Sequence, residues 1–489
     1  MQKRIILTPE QNDAIKKITS FIKREEERVF ILKGYAGTGK TTLVKEIITL
    51  LRKEKRSFNL IASTGRAAKV LNDVVEGLDE YSEYYASPLA TTIHSLIYKF
   101  ERITQDLDLF SATSSDNTGK LNEIKLKFTL RELPEHDGAP IVYIVDEASM
   151  ISDNRDATFS FAEYGNEGRL LQDLLNYDPK GQFIFIGDDC QLPPVGQGIS
   201  PALSVKYISK TFNIQPGEKE LTEVVRQTAQ NDITAAASII RSKIFDQNSL
   251  AQGLRFPFRG RNNIRIIDGE DNLVHRYIED IRKRDYSKAT MIVLSNNKIS
   301  RVSRTIRRAI GFDSAFLSPG DLLLVTQNNL ISGLMNGDLI TVLSIGRKEY
   351  RASLSFINVQ VQSLATGYVF SQLLIEEILY SGVTNITQEQ QTSLMIDFHI
   401  RAKKKGLKQG SQAYTDMMRN DSYLNALRCN YGYALTCHKA QGGEWDNVYL
   451  QLPRAMYYWN HKYAYQWVYT AMTRAKQQLY VLNDFWITA

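Results

Sequence analysis

The chain has 489 residues, of which 43% are hydrophobic, 23% charged and 10% aromatic; at roughly 150 residues per domain this suggests about three domains, or two large ones with insertions, and excludes a disulfide-stapled mini-protein or wholesale disorder. The 60 lysines and arginines against 54 acidic residues leave a net charge of +6, which permits a polyanionic partner without demanding one. Cys190, Cys429 and Cys437 lack C-x-x-C spacing, and no stretch reaches the about 18 consecutive apolar residues of a membrane span. MQKRIILTPEQ carries no signal-peptide core, so a soluble, cytoplasmic protein is expected.

In chain order, RVFILKG (28–34) is an apolar run ending in glycine, and TTLVKEIITLLRKEK comes next with apolar residues at helical spacing. That order predicts strand, loop, helix. The loop Gly34-Tyr35-Ala36-Gly37-Thr38-Gly39-Lys40-Thr41 fits G-x-x-x-x-G-K-[ST]. Its glycines let backbone N–H groups close round a phosphate at a helix N-terminus, Lys40 would reach the β- and γ-phosphates, and Thr41 would ligate Mg²⁺. FNLIAS (58–63) reads as the next buried strand. From Phe100 to Pro140 the chain turns polar; SSDNTGK (114–120) is a turn cluster, and Ile124, Leu126, Phe128 and Leu130 alternate with Lys125, Lys127 and Thr129. This predicts one arm of a half-exposed hairpin.

IVYIVD (141–146) closes on Asp146-Glu147, two carboxylates at the carboxyl end of a buried strand, where ligands bind in open α/β sheets. Asp146 suits the Mg²⁺ shell and Glu147 a general base for the attacking water, so together with the phosphate loop they read as ATP hydrolysis. QFIFIGD (182–188) delivers Asp188-Asp189-Cys190-Gln191-Leu192-Pro193-Pro194-Val195, in which Gln191 can be held as a γ-phosphate sensor. Further strand patterns are ATMIVLS (289–295), NVYLQL (447–452) and QLYVLND (478–484). Two α/β cores with mainly parallel sheets accommodate them better than one sheet. Arg301, Arg304, Arg307 and Arg308 form a basic run that reads as a solvated helix face. Residues 318–364 contain PGDLLLV, an Asn336-Gly337-Asp338 turn signal, LITVLSI and SFINVQVQ, an all-β pattern for a small inserted barrel. Residues 385–428 form a polar helical excursion without an assigned place.

Taken together, GYAGTGKT, IASTGRAAKVL, TTIHSL, IVDEASM, GDDCQLPPVG, LTEVVRQ, GYALTCHKAQGGEWDNVYL and VYTAMTRAKQQLYV stand in the order of the superfamily 1 helicase motifs. The chain resembles the branch that holds the Dda, RecD-like and Pif-like enzymes, from Gln11 to Val481. The resemblance implies two RecA-like P-loop cores, with a β-hairpin wedge inserted in the first and a small β-barrel in the second. The expected domains are 1–99 with 138–215, the wedge at 100–137, 216–317 with 429–489, and the barrel with its helices at 318–428. It implies ATP and Mg²⁺ as cofactors. Gln11 matches the adenine-reading glutamine, and Gly37, Thr38, Gly39, Lys40, Thr41 and Thr42 match the nucleotide loop. Gln441, Gly442 and Glu444 match the nucleotide side of the late motif. Lys40, Asp146, Glu147, Gln191, Arg226 and Arg474 match the catalytic set, with Thr41 and Asp146 on the metal. Ser63, Thr64, Gly65, Thr92, His94, Thr436 and His438 match the motifs that line a single-stranded DNA channel.

The activity implied by the resemblance is that of an ATP-dependent DNA helicase, a monomer moving 5′ to 3′ on single strands and opening single/double-strand junctions in replication, repair or recombination. Two alternatives stay open: a translocase that strips proteins with little unwinding, and a nucleotide-switched nucleic-acid-binding ATPase. RNA as substrate is open as well. Tyr35 stands where many relatives carry proline, and the wedge segment shows no aromatic at its tip.

Overall fold

The computed structural model describes residues 7–79, 89–108, 124–155, 162–165, 168–224, 231–312, 315–329 and 331–488. The runs VFILKG, FNLIA, VYIVD and QFIFIG have no polar face, as strands covered on both sides require. They build a six-stranded sheet in the order Thr91–Thr92, Phe58–Ala62, Val142–Asp146, Gln182–Gly187, Val29–Gly34, Gly217–Leu221, with every pair parallel. Phe30 and Leu32 pack under the helices Pro9–Lys23 and Lys40–Lys53, whereas Val29 and Ile31 join the core on the opposite face with Leu171 and Leu174. The period-2 alternation thus feeds two hydrophobic layers.

A second parallel sheet runs Ile264–Ile267, Ala475–Leu482, Trp445–Leu450, Ala289–Val293, Leu435–Thr436. Inserted in it is an antiparallel sheet of five strands, Val369–Ile375, Leu354–Ser363, Leu339–Arg351, Leu322–Val325 and Cys429–Tyr431. An isolated bridge from Leu374 to Leu427 draws its outer strands together. The Asn336-Gly337 signal falls at the turn into Leu339–Arg351. Apolar side chains of the two sheets form one continuous core. At their junction Arg307, 3% exposed, donates to both carboxylate oxygens of Asp321 at 2.8 and 2.9 Å, and Asp321 also accepts from the Tyr433 hydroxyl at 2.8 Å.

The excursion after residue 385 forms the helices Gln388–Lys404 and Gln412–Arg419. Met395, Phe398, Ala402 and Tyr414 bury against Ile103, Leu107 and Ile124, at the Ile103/Leu126 end of the hairpin formed by Tyr98–Ile103 and Leu126–Leu130, away from its base. The Leu107 N–H donates to Gln409 Oε1 at 3.0 Å, and His399 Nε2 lies 3.1 Å from Asp108 Oδ1. The 114–120 turn cluster lies outside the described residues.

Asp321→Ala leaves a buried guanidinium without its carboxylate. The expected loss is about 3–5 kcal/mol of unfolding free energy, read from denaturant midpoints; Tyr433→Phe, which removes a hydroxyl that donates to Asp321 and accepts from Leu322 N–H at 3.2 Å, should cost about 1.5–3 kcal/mol.

Candidate nucleotide site and strand-end track

Three adjacent strands of the first sheet end side by side, with Ile144 in register with Ile184 and Ile184 with Phe30. Their carboxyl ends deliver the phosphate loop, Asp146-Glu147 and the 188–195 loop to one crevice. Gly39, at φ 83°, caps the helix Lys40–Lys53 without a side-chain acceptor, and that helix has no acidic residue in its first turn. Its N-terminal N–H groups and partial positive charge are therefore available to an anion. A Cβ on Gly39 would overlap Gln11 Nε2. Gln11 is buried; its Nε2 donates to Thr38 O at 3.0 Å and its Oε1 accepts from Thr8 N. Lys40 Nζ donates to the Gly34 and Tyr35 carbonyls at 2.6 and 3.1 Å, neutral acceptors that a phosphate outcompetes.

Burial, with the adjacent Glu147 adding to it, pushes the Asp146 carboxyl up to about 7, and the Lys40 charge pulls the other way. Asp188 is pushed up to about 6, chiefly by burial and again opposed by Lys40. Glu147 sits in the left-handed region at φ 49°, its N–H donating to Asp146 Oδ1 at 2.8 Å. Gln191 is 3% exposed and its Oε1 has no hydrogen-bond partner. Orphaned buried acceptors of this kind, an uncapped helix start and a raised carboxyl are what a nucleotide with its divalent cation would satisfy.

The opposite wall comes from the second sheet. Its helix His461–Met472 is buried from Ala464 to Met472, yet Gln466 Nε2 donates to Asp189 O and Gln191 O, both at 3.2 Å, and Thr470 Oγ1 accepts from Leu192 N at 2.8 Å. The Tyr469 hydroxyl donates to Asp188 Oδ2 at 2.9 Å and accepts from Ala36 N at 3.2 Å. Gln441 Nε2 donates to Leu192 O at 3.3 Å while its Oε1 is unpartnered. Arg474 is 6% exposed and spends its donors on Thr470 O, Gly443 O and Thr473 Oγ1. Gly442, at φ 73°, lies beside Thr64 Oγ1, and Glu444 is exposed. Arg226 lies outside the described residues. Sequence reading missed Gln466, Tyr469 and Thr470; polar residues at i, i+3 and i+4 in an otherwise apolar helix are the signal that could have found them.

Ser63, Thr64 and Gly65 come after the strand Phe58–Ala62, and Thr92 and His94 close its edge neighbour, with Ala62 in register with Thr92. Thr436 and His438 stand at the end of Leu435–Thr436, the edge strand of the second sheet. Thr64, Thr92 and Thr436 each accept through the hydroxyl from the N–H three residues on, which starts a helix. His94 packs against Tyr98 and Tyr164. His438 Nε2 and Lys439 Nζ are buried without partners, and burial lowers Lys439 to about 8. Gly65 meets Met335 so closely that a Cβ would overlap it, and Arg66 Nη2 donates to Gly337 O at 2.8 Å. Nucleotide motifs and strand-end motifs thus occupy different stretches of the same sheet ends.

Such a crevice defines an α/β P-loop protein with a second core closing on the phosphate loop. Residues 6–250 match the AAA domain family and residues 431–482 the UvrD-like helicase C-terminal domain. The first match spans half of the chain, which belongs to the AAA domain family and, with the second, to the superfamily 1 helicases of the Dda, RecD and Pif branch. The ATP-dependent DNA helicase dda of Enterobacteria phage T4 is 22% identical, covering 97% of this chain and 98% of that one. The RecBCD subunit RecD of Buchnera aphidicola subsp. Schizaphis graminum is 22% identical over 93% of this chain and 70% of its own length. An uncharacterised protein of Methanocaldococcus jannaschii is 24% identical, and this chain spans 37% of it.

The raised Asp146 makes stability pH-dependent. Because its folded value exceeds the ordinary 3.8, the folded state holds this proton more tightly, and ligand-free stability falls as pH rises from about 4 through about 7. Asp146→Asn should abolish turnover yet melt several degrees higher than wild type above pH 7, with the gap closing toward pH 4; calorimetry across that range checks the sign.

Proposed function

We propose that the protein is an ATP-dependent DNA helicase that moves along single-stranded DNA, 5′ to 3′, and opens duplex at single/double-strand junctions. The observation that carries this reading is the division of labour along the sheet ends. Lys40, Asp146, Glu147 and Gln191 face the helix of Thr470, and Arg474 just beyond its end, across one crevice, while Ser63, Thr92 and Thr436 end the strands on the other side of the same two sheets.

In this reading ATP lies on the loop Gly37–Thr42 with its base against Gln11, and Thr41 and Asp146 would hold Mg²⁺, whose charge would offset that of the transferred phosphoryl group. Glu147 orients and deprotonates water, Gln191 senses the γ-phosphate, and Arg226 and Arg474 stabilise the charge that develops there. Gln441, Gly442 and Glu444 face the nucleotide from the second core. Closure of that core on the loop shifts the grip of the Thr436–His438 segment relative to Ser63–Gly65 and Thr92–His94, and repeated closure advances the strand. The hairpin 98–130 stands as the wedge. The protein works as a monomer, in the cytoplasm, alongside replication, repair or recombination proteins. Among the described residues no helix is long and apolar enough to cross a membrane.

Lys40→Ala and Glu147→Gln should each lower turnover at least a hundredfold, the second with nucleotide binding retained. Steady-state ATPase with and without single-stranded DNA, and then unwinding of duplexes bearing a 5′ or a 3′ tail, tests the rest. Stimulation with unwinding from the 5′ tail is expected. Stimulation without unwinding would select the translocase, and no stimulation would discard the motor.

A further inference from the structure

The basic run at 301–308 is split by the fold. Arg307 turns inward to Asp321, while Arg304 and Arg308 stay exposed on the helix Asn296–Ala309 and border a cavity of about 420 Å³. That volume is in the range of small-molecule sites, about 300–1,000 Å³. The cavity lies between this helix and the inserted antiparallel sheet, far in sequence from the phosphate loop, and shares no lining residue with the ATP crevice.

Its walls are aromatic. Tyr431 and Phe312 are buried with the Arg307 guanidinium 4.6 and 5.5 Å from their ring centres, and Phe316, 67% exposed, meets Tyr380 edge-on at the mouth. Three of its polar groups are unspent, the Tyr431 hydroxyl among them. Asn430 is 7% exposed with no partner for Oδ1, and Asn296 Oδ1 is likewise unpartnered. Each such buried atom is destabilising until a partner in the site satisfies it.

We infer that this cavity is a nucleobase pocket that takes one nucleotide of the single strand, a reading that rests on the DNA-binding function proposed for the protein. The aromatic walls offer a stacking surface for a base. The two asparagine oxygens are acceptors, and the exocyclic amines and imino N–H groups of bases are the matching donors. Arg304 and Arg308 on the rim suit the adjoining phosphate. An acidic peptide would meet the arginines and offer backbone N–H donors, but without an aromatic residue it lacks the flat face that the aromatic walls stack on. Position agrees with a strand ligand as well. Asn296 begins the helix that comes after Ala289–Val293, and Val293 is in register with Thr436, so the pocket opens at the sheet end that carries Thr436 and His438.

The test compares fluorescent oligothymidylate with a sugar–phosphate strand of equal length that lacks bases. Ser300, on the cavity wall, becomes tryptophan in Ser300→Trp to fill it; Arg304→Ala/Arg308→Ala changes only exposed side chains. Wild type should bind the base-bearing strand more tightly. Ser300→Trp should weaken that binding about tenfold, as expected for one lost stacking contact, while leaving the baseless strand and the DNA-independent ATPase unchanged. The arginine pair should weaken both strands and reduce the salt slope by about 2. Photocrosslinking of a 4-thiothymidine strand to wild type should label Phe316 or Tyr380, which keeps the test open if the tryptophan variant folds poorly. Unchanged affinity in both variants, or crosslinks only elsewhere, overturns the pocket and leaves strand binding standing; an acidic aromatic peptide that then binds wild type and not Ser300→Trp reassigns the cavity to a protein partner. Failure of wild type to bind either strand overturns the proposed function and the pocket together.

Discussion

The Tyr469 hydroxyl reaches across the crevice to touch the phosphate loop and an acidic strand end at once. Burial, reinforced by Asp188, holds this phenol well above its ordinary value, so it is a fixed donor at any working pH. Around it the two cores meet through neutral hydrogen bonds, Thr470 to Leu192, Gln466 to Asp189 and Gln191, and Gln441 to Leu192, and through apolar packing of Tyr35, Cys190 and Leu192 in the second core's cluster. Each hydrogen bond contributes about 0.5–1.5 kcal/mol net because water replaces it on separation. A ligand that binds both walls can bias such a seam by a few kcal/mol.

The nucleotide side and the strand side are joined within the first sheet by a shorter path. Ser63 Oγ donates to the Glu147 carbonyl at 2.9 Å, and Ser63 N–H reaches the Asp146 carbonyl at 3.4 Å. Glu147 is held in a left-handed conformation that costs a non-glycine residue about 1–2 kcal/mol. A residue placed in a strained conformation by its neighbours responds to small shifts in those neighbours. Under the proposed function, a DNA strand touching Ser63 would therefore be linked to the Glu147 carboxylate through one hydrogen bond and one strained peptide, a local physical route by which DNA would stimulate hydrolysis.

Much of this was legible in the sequence because buried parallel strands write themselves as unbroken apolar runs, and because phosphate binding needs glycines and a lysine at fixed spacing. Lys40, Asp146 and Gln191 stand where strand ends in VFILKG, VYIVD and QFIFIG put them. Other features were not legible. Gly217–Leu221 extends the first sheet although its sequence, GEKEL, is polar, since an edge strand needs backbone partners more than an apolar face. Tyr469 reads as core in a helix of core residues, and its hydroxyl acquires meaning only when residue 188, 281 positions away, is opposite. Arg304 and Arg307 look alike in sequence, and only Asp321 separates the inward arginine from the outward one.

The helices at 388–419 show why the insertions matter to motion. They bury Phe398, Met395 and Tyr414 against Ile103, Leu107 and Ile124 of the hairpin, so the hairpin of the first core is fastened by an apolar contact to an arm that belongs to the second half of the chain. Apolar burial at about 25 cal/mol per Å² does not let go when a few hydrogen bonds do. The crevice seam combines its hydrogen bonds with apolar packing of Tyr35, Cys190 and Leu192 on the second core, and the hairpin anchor adds the Leu107–Gln409 and His399–Asp108 contacts to its apolar burial. Under the proposed function, this attachment would hold the described hairpin strands, Tyr98–Ile103 and Leu126–Leu130, to the arm while Ser63, Thr92 and Thr436 shift relative to them, the relative motion that drawing a strand against a barrier requires.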